Sequence, residues 1–146
     1  MSAYNYQIMR YILWAIVALV GYSFVPPLIQ LSTEEMHFSV ATFGATGILA
    51  LTAGSVALIS GQPVGNNLTG PHGKYVILAG FFLAVSILAF FYSLSLGRVS
   101  VVVPIFGLFL VFSSLFGVYF FKEPLVPRQL LGIGFAILSI ILIATS

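Results

Sequence analysis

The side chains able to do chemistry in this chain are few, and most are hydroxyls. Tyr22 and Ser23 stand just before the pair Pro26-Pro27, Tyr92 follows Phe90-Phe91, and Ser114 lies in a long apolar stretch. Hydroxyls so placed can hydrogen-bond a polar solute inside an otherwise apolar cavity. Pro26 and Pro104 each remove a backbone donor from an apolar run, which kinks or breaks a helix and supplies local flexibility or open carbonyls. In lipid such a kink either fits a packing neighbour or lies beside a wet path. The adjacent acids Glu34 and Glu35 resemble a metal or acid/base pair. However, Ser32 or Thr33 followed by glutamates fits a helix N-terminal cap better. His72 is a lone histidine among prolines and glycines and reads as solvated. Asn67-Leu68-Thr69 fits the glycosylation pattern, which is short and recurs by chance. No nucleophile–base pair, metal cluster or phosphate-binding glycine loop is present, so no enzyme, no metal site and no cofactor is expected. The absence of cysteine excludes disulfides and thiolate chemistry.

The elements that must position these groups follow from composition. Of 146 residues, 60% are hydrophobic and 5% charged. A soluble domain carries about 25% charged residues, so these charges cannot cover a water-facing surface of this size. The lipid bilayer is therefore the first partner. Five basic residues are too sparse for a nucleic-acid footprint. The clearest element is the stretch 99–121, which has no formal charge and ends at Lys122-Glu123-Pro124-Leu125-Val126-Pro127-Arg128. A run of about 20 apolar residues matches the hydrocarbon thickness of a bilayer. The two prolines of the turn end one helix and start the next.

The same pattern predicts an all-α membrane protein, a bundle of five transmembrane helices forming one domain over residues 1–146. The spans are 11–31, 38–60, 75–96, 99–121 and 129–145. The first, although it follows Arg10, is too long for a signal peptide and lacks a clear cleavage site. In the second, Ala41, Gly44, Gly47, Ala50, Ala53 and Gly54 recur at spacings of three and four, a face for close helix packing. Residues 61–74 form the longest loop. The connection Gly97-Arg98 makes spans three and four antiparallel neighbours. The fourth span sets small and hydroxyl residues beside a stripe of phenylalanines, a pattern that suits packing or pore lining. In the fifth, Gly132, Ala136 and Ser139 make a small-residue face able to pair with a second subunit. Five spans put the termini on opposite sides. Arg10, Lys74, Lys122 and Arg128 fall on the N-terminal side and Arg98 on the other, so the N-terminus is expected in the cytoplasm and the C-terminus outside the inner membrane.

Several residues carry a family resemblance. Leu94-Ser95-Leu96 precedes a short turn, Pro104 comes early in span four, Glu123-Pro124-Leu125 follows it, and Gly132 sits in span five. Gly21-Tyr22-Ser23-Phe24 matches a first-span motif more weakly. With these features the chain resembles one five-span EamA-type unit of the drug/metabolite transporter superfamily. The resemblance implies a transporter of a small metabolite or drug-like solute, working by alternating access. Members generally carry two such units in opposite orientation, so it also implies a second copy or a related five-span subunit. It makes Tyr22, Ser23, Tyr92 and Ser114 candidate substrate-binding residues. The related small multidrug resistance transporters exchange protons for cationic drugs through a membrane-embedded glutamate. Spans one and two here contain no Asp, Glu, Lys, Arg or His, so a neutral or zwitterionic solute fits better. The alternatives are a non-transporting assembly or regulatory subunit of a membrane complex, and a flippase for a lipid-linked sugar.

The charge count makes a direct prediction. A reporter active only outside the cytoplasm gives signal when fused after Ser146, and one active only inside does not. Signal from both means that the chain inserts in both orientations.

Overall fold

Among the described residues of the computed structural model every regular element is an α-helix, which pairs its backbone polar groups internally as a lipid environment requires. The structure describes residues 3–122, 124 and 126–144, with side chains from residue 10 to residue 143 of that set. The helices are α1 (Ala3–Ser23), α2 (Val25–Thr33), α3 (Phe38–Ile59), α4 (Val64–Thr69), α5 (Gly73–Leu96), α6 (Val99–Gly107), α7 (Phe109–Phe121) and α8 (Pro127–Ala144).

These form a helical membrane bundle of four long apolar segments and a shorter one. Arg10–Thr33, Phe38–Ile59, Gly73–Leu96 and Val99–Phe121 are each long and apolar enough to cross a membrane, and Pro127–Ile143 is a shorter apolar helix. At 1.5 Å per residue, the 18 residues of α8 reach about 27 Å, close to the thickness of the hydrocarbon core. Thr145, the last residue expected in that span, and Glu123 and Leu125 of the turn lie outside the described residues. The chain is thus a multi-pass helical membrane protein.

Contacts divide it into two compact units, residues 1–95 and 96–146. In the first, the buried side chains are Pro26 and Ile29 of α2, Ala41 and Thr42 of α3, and Phe90, Phe91 and Leu94 of α5. Leu94 is only 1% exposed. The Tyr92 and Phe38 rings meet at 4.9 Å and join the end of α5 to the start of α3. The close turn between α2 and α3 puts the end of one beside the start of the other. The firm packing of this unit is therefore concentrated at one end. In the second unit α6 and α7 both pack on α8, with Val111 buried.

Two local expectations are corrected. Ser32 and Thr33 do not cap a helix start: they are the last residues of α2, and their hydroxyls donate back to the Ile29 and Gln30 carbonyls at 2.8 and 2.9 Å. The cap of α3 is His37, whose Nδ1 accepts from the Ser39 N–H at 3.3 Å. Glu34 and Glu35 sit in the turn between, outside the first turn of any helix. The stretch 61–74 is not all loop, because α4 occupies Val64–Thr69 and contains Asn67-Leu68-Thr69, with the Thr69 hydroxyl donating to Gly65 at 3.0 Å.

The turns show why particular residues stand there. Lys122 ends α7 in the left-handed region, at φ 52°. Pro127 begins α8 where no backbone donor is needed, and Gln129 Oε1 accepts from the Val126 N–H at 3.2 Å, which completes the helix start. At the foot of α5 the Lys74 ammonium lies 5.1 Å from the Tyr75 ring centroid and the His72 ring stacks on the same tyrosine, an arrangement suited to the membrane–water boundary.

Gly73 is fixed by close approach. A Cβ there would lie 1.7 Å from the Leu68 carbonyl oxygen. Gly73→Ala therefore lowers the melting temperature of the purified protein, at a cost above about 1 kcal/mol. Gly65→Ala, where a Cβ meets nothing within 4 Å, leaves it nearly unchanged.

Candidate functional site

Two spans are interrupted: the first break falls within the turn that Pro26 and Pro27 disturb, and the second lies four residues beyond Pro104. Pro26 and Pro27 have no N–H, so the carbonyls of Tyr22 and Ser23 lose the donors an unbroken helix would bring four residues on. At the break, the Phe24 N–H bonds Gly21, three residues back, at 3.4 Å. Regular bonding resumes from Leu28 to Phe24 at 3.3 Å. In the fourth span Pro104 deprives the Ser100 carbonyl in the same way. The helix then tightens at Leu108, whose N–H bonds Ile105 at 3.1 Å, and α7 starts again from the Leu108 carbonyl. Each break is one residue wide, between α1 and α2 and between α6 and α7.

The expected site hydroxyls are placed as follows. Tyr22 is 47% exposed on the last turn of α1, and Tyr92 is 49% exposed on α5. Ser23 donates to Leu19 at 2.7 Å and Ser114 to Leu110 at 2.8 Å. Both serines thus satisfy their protons within their own helix and keep lone pairs for other partners. Ser114 lines an open groove of the second unit.

An open groove lies in each unit. In the second unit it lies between α7 and α8, has a volume of about 360 Å³, and is lined by Val111, Ser114, Val118, Gln129 and Gly132 among others. In the first unit a groove of about 460 Å³ lies between α3 and α5. Ser39, Thr42 and Thr46 line one side, and Gly80, Leu83, Ala84 and Ile87 the other. These three hydroxyls are not among the residues expected from sequence to face a solute. The signal was present in their spacing of three and four, but the glycines and alanines of the same helix drew the reading towards packing alone. Tyr92 sits at the end of this region through its contact with Phe38, whose carbonyl accepts the Thr42 hydroxyl at 2.8 Å.

The electrostatics of the spans are simple. No Asp, Glu, Lys or Arg occurs between residues 11 and 33, 38 and 59, or 99 and 121. Among the described residues no group of His, Cys, Asp or Glu is arranged to hold a metal ion. Every buried side-chain nitrogen or oxygen described has a hydrogen-bond partner. What the spans can offer chemically is therefore hydrogen bonding, from tyrosine hydroxyls, serine and threonine lone pairs and the carbonyls freed by proline.

A family model described as the EamA-like transporter family matches residues 9–145, a stretch that runs through both units. No curated protein and no solved structure matches the chain.

Because the Ser114 hydroxyl bond is local, Ser114→Ala changes stability by no more than about 0.5 kcal/mol. Leu94→Ala, in the packed end of the first unit, costs about 2–5 kcal/mol. Thermal unfolding of the two purified variants measures the contrast.

Proposed function

The chain belongs to the EamA-like transporter family, and from that membership we propose that it moves a small uncharged or zwitterionic solute across the inner membrane by alternating access. The observation that carries this reading is the family match together with two helix breaks and the prolines near them inside otherwise charge-free spans. A helix that only fills a bundle gains nothing from carbonyls without donors in lipid. A helix that borders a wet path can satisfy them with water or solute.

In this reading Tyr22, Ser23, Tyr92 and Ser114 hydrogen-bond the solute, and Pro26 and Pro104 let their helices bend as the path opens on alternate sides. A five-span chain reaches the inverted-repeat arrangement with a second copy or a related subunit. The charge distribution favours a cytoplasmic N-terminus and an external C-terminus.

Purified protein in liposomes tests the proposal. Saturable uptake of at least one solute from a panel of neutral and zwitterionic metabolites is expected, and no flux across the panel would overturn it. Tyr92→Phe reduces uptake several-fold with the protein still inserted. Pro26→Ala returns a donor to the Tyr22 carbonyl, so it raises thermal stability and slows uptake. If both variants transport as the original chain does, neither residue belongs to the path.

A further inference from the structure

We propose that the groove between α3 and α5 binds a small uncharged solute through its hydrogen-bond donors, as an amide or a polyol would present them, and turns anions away. The argument begins with three protons that are already committed. The Ser39 hydroxyl lies 2.7 Å from His37 Nδ1, the atom that also accepts the Ser39 N–H, and so donates to it. Thr42 donates to the Phe38 carbonyl at 2.8 Å, and Thr46 to the Thr42 carbonyl at 2.7 Å. What the three side chains have left is lone pairs.

Their spacing orders those lone pairs. Residues 39, 42 and 46 share one face of α3, and a rise of 1.5 Å per residue sets them about 4.5 and 6 Å apart along the axis. The groove therefore presents a row of acceptors. Thr42 is 5% exposed, so Ser39 and Thr46 at the two ends of the row are the more open acceptors. The facing wall is apolar, and a Cβ placed at Gly80 would meet nothing within 4 Å, so space remains opposite the row. No charged side chain lines the groove.

A ligand that fits must supply donors on one edge and tolerate apolar contact on the other. A carboxylate or phosphate would bring acceptors against acceptors, in a low-dielectric site with no cation to offset its charge. The volume of about 460 Å³ suits a small metabolite. The proposal rests on the transport reading for what happens to the bound solute, but binding can be tested separately.

The absence of cysteine makes the test clean, because Thr46→Cys and Ser39→Cys each carry a single thiol. Each full-length variant in liposomes is treated with iodoacetamide, an uncharged amide, or with iodoacetate, its carboxylate counterpart. Each rate is divided by that of free cysteine with the same reagent. Thr46→Cys should favour iodoacetamide by about tenfold or more. Ser39→Cys, at a more exposed position, should show the same preference and covers the case in which the first variant misfolds. Thr52→Cys, on the same helix but outside the groove, should react with neither. Equal normalised rates would mean a groove open to bulk water, and no reaction at either groove position would mean one filled by lipid or another helix. Either result overturns the proposal. Flux through the unsubstituted chain is read independently: selective labelling without flux removes transport and keeps the site, and flux without selective labelling does the reverse.

Discussion

A hydrogen bond lost in hydrocarbon is not replaced by water, and the rest of this structure depends on that constraint. It requires helices for the spans, and it decides what the polar side chains within them do. Ser23, Thr42, Thr46, Thr52, Ser55, Ser93 and Ser114 each donate to a carbonyl of their own helix. Hydroxyls can therefore be distributed along the spans without needing a partner helix. The chemistry they present outward is that of acceptors.

Against this background the prolines stand out. Most of the chain keeps backbone donors and acceptors paired within each helix. At Tyr22, Ser23 and Ser100 the sequence removes the α-helical donor by covalent structure, so a local change of helix winding, another group or water has to satisfy the carbonyl. The breaks at Phe24 and Leu108 are narrow, so the spans continue in length while the bonding shortens locally from four residues to three. A membrane transporter needs such points, where polar backbone meets a path and where a helix can bend. The sparse burial of the spans is consistent with a chain whose apolar surface is covered by lipid.

Much of this was legible before any coordinates. The five spans follow from gaps between charges, and their ends fall within about two residues of the expected positions because charge and proline mark them so sharply. The break near Pro26 follows from the missing N–H. The start of α3 was misread because Ser32-Thr33-Glu34-Glu35 has the spelling of a capping box. Yet α2 runs on through Thr33, and both hydroxyls bond back to carbonyls of their own helix instead of capping the next one. His37 as a cap left no such pattern. The groove on α3 was missed for a different reason: hydroxyls and small residues share that helix, and only the position of α5 shows which face is open.

Hydrogen–deuterium exchange in bilayer discs, read peptide by peptide, tests the central claim that the proline breaks are wet points in the membrane. The account predicts that peptides containing Phe24-Val25 and Leu108 exchange measurably faster than one from the centre of α3 around Ala50. Uniform protection across all three would mean that the breaks are dry kinks packed against a neighbour, and would contradict it.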